Sequence, residues 1–117
     1  MIVKIGDVYL VEIPTDGGHE QAGLRPALIV QSEEKINELP TVLIVPLTSK
    51  TKATIFPFTF LIEPNQSNNL SSSSVALVFQ LRAIDKRRLK HKIGKLEKRM
   101  ILHMKQILKE IMELNTK

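Results

Sequence analysis

A chain of 117 residues has the length of one domain, and it can bury about two-thirds of its unfolded surface in a single core without a disulfide or metal staple. It holds no cysteine, which excludes disulfides and thiolate chemistry. The formal charge of +5 is unevenly spread: residues 1–80 carry five Lys/Arg against eight Asp/Glu, and residues 81–117 carry twelve against four. Such a basic C-terminal third suits phosphate backbones or an acidic protein, although a solvated helix face is the simpler reading. Lys4, Asp7 and Glu12 interrupt the N-terminal MIVKIGDVYLVEI, so it reads as no signal peptide, and no apolar run is long enough to cross a membrane. A soluble, cytoplasmic protein is the expectation.

In chain order, GDVYLVEI (6–13) reads as a first strand, stopped by Pro14 and the loop TDGGHEQAG. PALIVQ (26–31) and TVLIVPL (41–47) are the second and third, Pro26 being tolerable as a first strand residue. IFPFTFLIE (55–63) is a fourth. Its Phe56, Phe58, Phe60 and Ile62 alternate onto one face, which predicts core, and Pro57 predicts an edge strand or a bulge. PNQSNNLSSSS (64–74) is polar and turn-rich, and predicts a mobile loop. SVALVFQLRAID (74–85) reads as one long fifth strand. Its Val75, Leu77, Phe79, Leu81 and Ala83 face one way; Gln80 and Arg82 face the other with Ala76, Val78 and Ile84. DKRRL reads as a helical turn and HKIGKL as a short sixth strand.

Residues 97–114 carry Met100, Met104, Ile107, Ile111 and Leu114 at helical spacing, widened by Ile101, Leu108 and Met112. Short strands closed by one helix predict a mainly β fold, a small, strongly bent antiparallel sheet or barrel capped by the C-terminal helix. The chain reads as a single domain over 1–117.

Several chemistries find no support. His19, His91 and His103 lack metal-ligand spacing, and neither a nucleophile elbow nor a phosphate-cradling loop is present. The helix methionines read as core filler. What remains is His19-Glu20-Gln21 with Arg25, and the strand end Thr48-Ser49-Lys50. The residue before a proline is held extended, so Arg25 has a constrained backbone, and its guanidinium offers a planar fork of donors to phosphate. Taken singly, Arg25 is a surface cation and Thr48 a turn residue; together they define no more than a basic β-rich module.

GDVYLVEI, GHEQAGLRPALIVQ, TVLIVPLTSK, and SSVALVFQLRAIDKRRL with KIGKL and a closing helix resemble, in order and over nearly the whole chain, the MazF/PemK family of toxin endoribonucleases. The most specific element is G-x-E-Q-x-G-x-R-P. The resemblance implies an SH3-like small antiparallel barrel of the MazF/CcdB/Kid kind, assembled as a homodimer and inhibited by an acidic antitoxin. It also implies cleavage of single-stranded RNA, such as mRNA, at short sequences without a metal or other cofactor. The 2′-hydroxyl attacks the adjacent phosphate, leaving a 2′,3′-cyclic phosphate and a 5′-hydroxyl.

Carried onto this chain, Arg25 stabilises the developing charge and can protonate the leaving oxygen. Thr48 hydrogen-bonds a phosphoryl oxygen, and Glu20 is the candidate base. His19, Gln21, Ser49 and Gln80 fall to substrate binding. Many relatives carry an acidic residue just before the glutamine, whereas here Phe79 stands there, on the face predicted for core or dimer packing. That departure leaves open a weakly active or inactive RNA- or partner-binding barrel; because the CcdB proteins share this barrel, a gyrase-poisoning toxin is a second alternative, further off. The latter is disfavoured because the chain has no tryptophan and ends ELNTK.

Overall fold

The structure is a computed structural model and describes residues 2–14, 23–31 and 37–114. Its strands are β1 (Asp7–Ile13), β2 (Gly23–Ile29), β3 (Thr41–Thr48), β4 (Thr59–Ile62), β5 (Ser74–Leu77), β6 (Arg82–Asp85) and β7 (Leu89–Lys95), followed by helix α1 (Lys98–Ile111). The sheet order is β4-β5-β3-β2-β1-β7, with β6 also paired to β3, and every pairing is antiparallel.

The central strands are apolar on both faces, which explains their near-continuous Val/Ile/Leu runs. One face buries Val8, Leu28, Val45 and Leu47 beneath Met104 and Ile107 of α1. The other buries Tyr9, Val11, Ala27, Ile29, Val42 and Ile44, covered by Val3, Ile84 and Leu89. Two register shifts in the β1–β7 pair, between Val8 and Tyr9 and between Leu10 and Val11, bend the ribbon so that both faces close. Asp7 is buried at the start of β1. Its carboxylate accepts from the Lys4 amide at 2.9 Å and pairs with Lys92 Nζ at 3.2 Å, tying β1 to β7.

Four expectations are corrected. The row from Phe56 to Ile62 is not one strand. A 3₁₀ turn over Thr51–Ile55 precedes it, Phe58 takes φ 59, and pairing starts only at Thr59. Pro57 has no amide hydrogen to give a ladder, so the alternation it interrupts never forms. Phe60 and Ile62 are buried while Phe56 and Phe58 are exposed, and β4 is an edge strand.

The fifth strand is two strands, broken by a 3₁₀ turn at Val78–Gln80. Leu47 pairs Ala76 whereas Ile44 pairs Arg82, so three residues along β3 correspond to six along its partner. The turn absorbs the difference, and Phe79 leaves the apolar face. In α1, the helix ends at Ile111 and Glu113 turns left-handed with φ 55. Met112 and Leu114 therefore lie outside the buried stripe and are exposed.

The connection after β4 is a hydrogen-bonded knot rather than a free loop. Asn65 Oδ1 accepts from the amides of Ser67 and Asn68, while Asn68 Oδ1 accepts from those of Asn65 and Leu70. Asn68 is buried and donates to the Glu63 carbonyl. The knot fastens onto β7. The Lys95 amide donates to Ser67 O at 3.0 Å, Ser67 Oγ donates to Lys95 O at 2.8 Å, and Asn69 Nδ2 donates to Ile93 O at 3.0 Å. Gly94 is required there, because a Cβ would sit 2.5 Å from Ser67 O and 2.6 Å from Asn68 O.

Candidate active site

Arg25 and Thr48 come together through strand register. Ala27 pairs Pro46 across the β2–β3 ladder, and two further residues along each strand set Arg25 opposite Thr48. Arg25 is half-buried, held on its other side by pairing with Val11. Both residues and Ser49 line a cleft of about 350 Å³, whose lining also takes in the knot's Asn69 and the following Ser71 and Ser72. Thr48 is buried. Its Oγ accepts from the Lys50 amide at 3.2 Å, which fixes the oxygen and leaves the hydroxyl hydrogen as the group to donate outward.

Thr48 also lines a second, larger cleft of about 610 Å³ with Gln80, Lys50 and Lys52. Its apolar wall is Phe56 and Phe79, ring centroids 5.7 Å apart at 58°. Phe79 is 40% exposed, so it is not in the core of the single chain, one of the two placements its alternation predicts; the other, dimer packing, needs a surface residue. Arg25, Thr48 and Ser49 thus share one cleft, Thr48 and Gln80 share the other, and Thr48 is common to both. His19, Glu20 and Gln21 lie outside the described residues.

Among the described residues the lining of the two clefts holds Arg25, Lys50 and Lys52 and no carboxylate. The environment is therefore positive, as an anionic ligand requires. Among the described residues the carboxyl group pulled far from its ordinary value lies elsewhere: hydrogen bonds from Arg87 hold Asp85 down to about 2. Sequence reasoning missed Asn69, Ser71 and Ser72, which looked like loop filler, and Phe56, which looked like core. The Asn spacing that knots residues 65–69 was the only available signal for the first group.

The family model of PemK-like, MazF-like toxins of type II toxin-antitoxin systems matches residues 4–112. The chain belongs to this family. Solved structures carry the same fold. MazF from Deinococcus radiodurans is 23% identical with a TM-score of 0.80, over 97% of this chain and 98% of that one. The toxin MazF-mt6 of Mycobacterium tuberculosis is 17% identical with a TM-score of 0.76, over 94% and 99%. An endoribonuclease from a Mycobacterial species, in complex with its cognate antitoxin, is 19% identical with a TM-score of 0.69, over 99% and 98%. In this PemK-like, MazF-like chain the SH3-like sheet stays open at β4 and β7, with the knot at 65–69 bridging toward β7.

Proposed function

We propose that this toxin is an endoribonuclease that cuts single-stranded RNA, mRNA included, by attack of a 2′-hydroxyl on the adjacent phosphorus. The observation that carries the reading is the cleft in which the Arg25 and Thr48 positions oppose each other across β2 and β3 with Ser49 beside them. A phosphodiester seated there meets the Arg25 fork on its non-bridging oxygens, and the Thr48 hydroxyl donates to one of them. As the 2′-oxygen bonds to phosphorus its proton passes to a base, for which Glu20 is the candidate. The bond to the 5′-oxygen breaks, and that oxygen takes a proton, with Arg25 the candidate donor. The products are a 2′,3′-cyclic phosphate and a 5′-hydroxyl, and no metal enters the scheme. His19, Gln21, Ser49 and Gln80 are assigned to holding the RNA. The chain acts as one domain, as a homodimer in the cytoplasm, and an acidic antitoxin silences it by covering the positive clefts.

Purified protein should cut an unstructured RNA in EDTA, with 5′-hydroxyl ends at the cut. Arg25→Ala should lower kcat about 10²- to 10³-fold, the typical effect of losing one donor to a developing oxyanion, without changing the thermal midpoint by more than a few degrees. Undiminished cutting by that variant would refute the assignment.

A further inference from the structure

The reaction occupies only one of the two clefts that share Thr48. We infer that the second, walled by Phe56 and Phe79, is a nucleobase subsite: it takes the base of a nucleotide next to the scissile phosphate by stacking and so selects at one position of the cutting sequence. This rests on the nuclease reading of the first cleft.

Five observations converge. Phe56 and Phe79 are 52% and 40% exposed, an aromatic pair on the surface where burial would otherwise be favoured. Their tilted packing, at 58°, stiffens both rings and leaves an apolar wall in a cleft of about 610 Å³. Lys50 and Lys52 line the same cleft, so the aromatic wall and the phosphate-neutralising cations come together as they do in single-strand binding grooves. The two clefts also share Thr48 in their walls, so a strand whose phosphate lies against that hydroxyl has the second cleft beside it. Gln80 brings an amide, donor and acceptor both, to the same wall, which suits the edge of a base. An acidic apolar peptide or a second copy of the chain would use the apolar wall but would not require Thr48 beside it.

The test uses the full chain and an oligonucleotide enriched by binding from a random single-stranded pool with 2′-fluoro sugars, which cannot be cut. It is scanned with one abasic position at a time. Wild type should lose about 5- to 100-fold in affinity when one particular base is removed, the usual effect of a lost base–aromatic stack. Phe79→Leu should bind the intact oligonucleotide correspondingly less well and be insensitive to that same abasic site, while melting within a few degrees of wild type. A flat scan would overturn the subsite, as would equal abasic sensitivity in Phe79→Leu. So would a change of oligomeric state in the variant, or Phe79-dependent binding of an acidic apolar peptide with no binding of RNA. Base sensitivity through Phe79 without any cutting in EDTA would sink the nuclease reading and leave the subsite standing. Cutting with unchanged sequence preference in Phe79→Leu would do the reverse.

Discussion

Gly94→Ala tests whether the polar segment after β4 is architecture. A methyl group at Gly94 would lie 2.5 Å from Ser67 O, 2.6 Å from Asn68 O and 2.7 Å from Asn68 C, all backbone atoms that cannot swing aside. The knot must therefore back away from β7. Three hydrogen bonds are then at risk: Lys95 N to Ser67 O, Ser67 Oγ to Lys95 O, and Asn69 Nδ2 to Ile93 O. At about 1 kcal/mol each the loss is roughly 2–4 kcal/mol. For a domain of this size that lowers the melting temperature by about 10–20 °C, read by circular dichroism. Because Asn69, Ser71 and Ser72 line the Arg25 cleft, RNA cleavage measured well below the transition should weaken as well. A variant that melts within 2–3 °C of wild type would mean that the knot yields easily, and the structural role assigned to it would be wrong.

Thr48→Val keeps the shape but removes both the outward donor and the acceptor for the Lys50 amide; cleavage should fall about 10²-fold with KM changed less, and unaltered kcat would remove Thr48 from the chemistry. Asp85 should titrate near 2 by carbon-13 NMR and return toward its ordinary value of 3.8 in Arg87→Ala, since the Arg87 hydrogen bonds depress it. A depressed folded-state value stabilises the fold above about 3.8, and that contribution disappears as pH falls through about 2, so the acid limb of the stability curve should be shallower in Arg87→Ala over this window. An Asp85 midpoint unmoved by the variant would contradict the pairing. Asp7→Ala strips the Lys4 amide and Lys92 of their buried partner and should cost about 1–3 kcal/mol by urea unfolding; a neutral result would show that β1 and β7 are held by the ladder alone.

Much of the fold was legible because burial on two faces writes itself as runs such as ALIV and VLIV, and because Met104 and Ile107 fall at helical spacing. What failed was alternation carried through a break. VFQ contains no Gly or Pro, so nothing local announces the 3₁₀ turn at Val78–Gln80; the turn is imposed by β5 and β6 both pairing with β3 in different registers. The Asn-rich segment failed for the opposite reason. Asn and Ser mark both free loops and side-chain-knotted ones, and only the tertiary contact with Gly94 decides between them. At the site, the Arg25 and Thr48 positions are brought together by a register that the sequence leaves unspecified once the strands are named.

That register also explains why one threonine can serve two clefts. β3 is longer than either β5 or β6, and the chain covers one edge of it in two pieces: β6 against Thr41–Ile44 and β5 against Leu47–Thr48. A continuous partner strand would alternate Phe79 back toward the core and close the space beside Thr48. The turn turns Phe79 outward and brings Gln80 to the cleft wall beside Lys50 and Phe56, on the opposite side of Thr48 from the Arg25 cleft. Deleting the break should therefore abolish the second cleft while leaving Arg25 opposite Thr48, because the β2–β3 ladder that aligns them does not involve β5 or β6. The site's two halves rest on separate strand pairings, so catalytic loss and altered sequence preference should be separable by mutation.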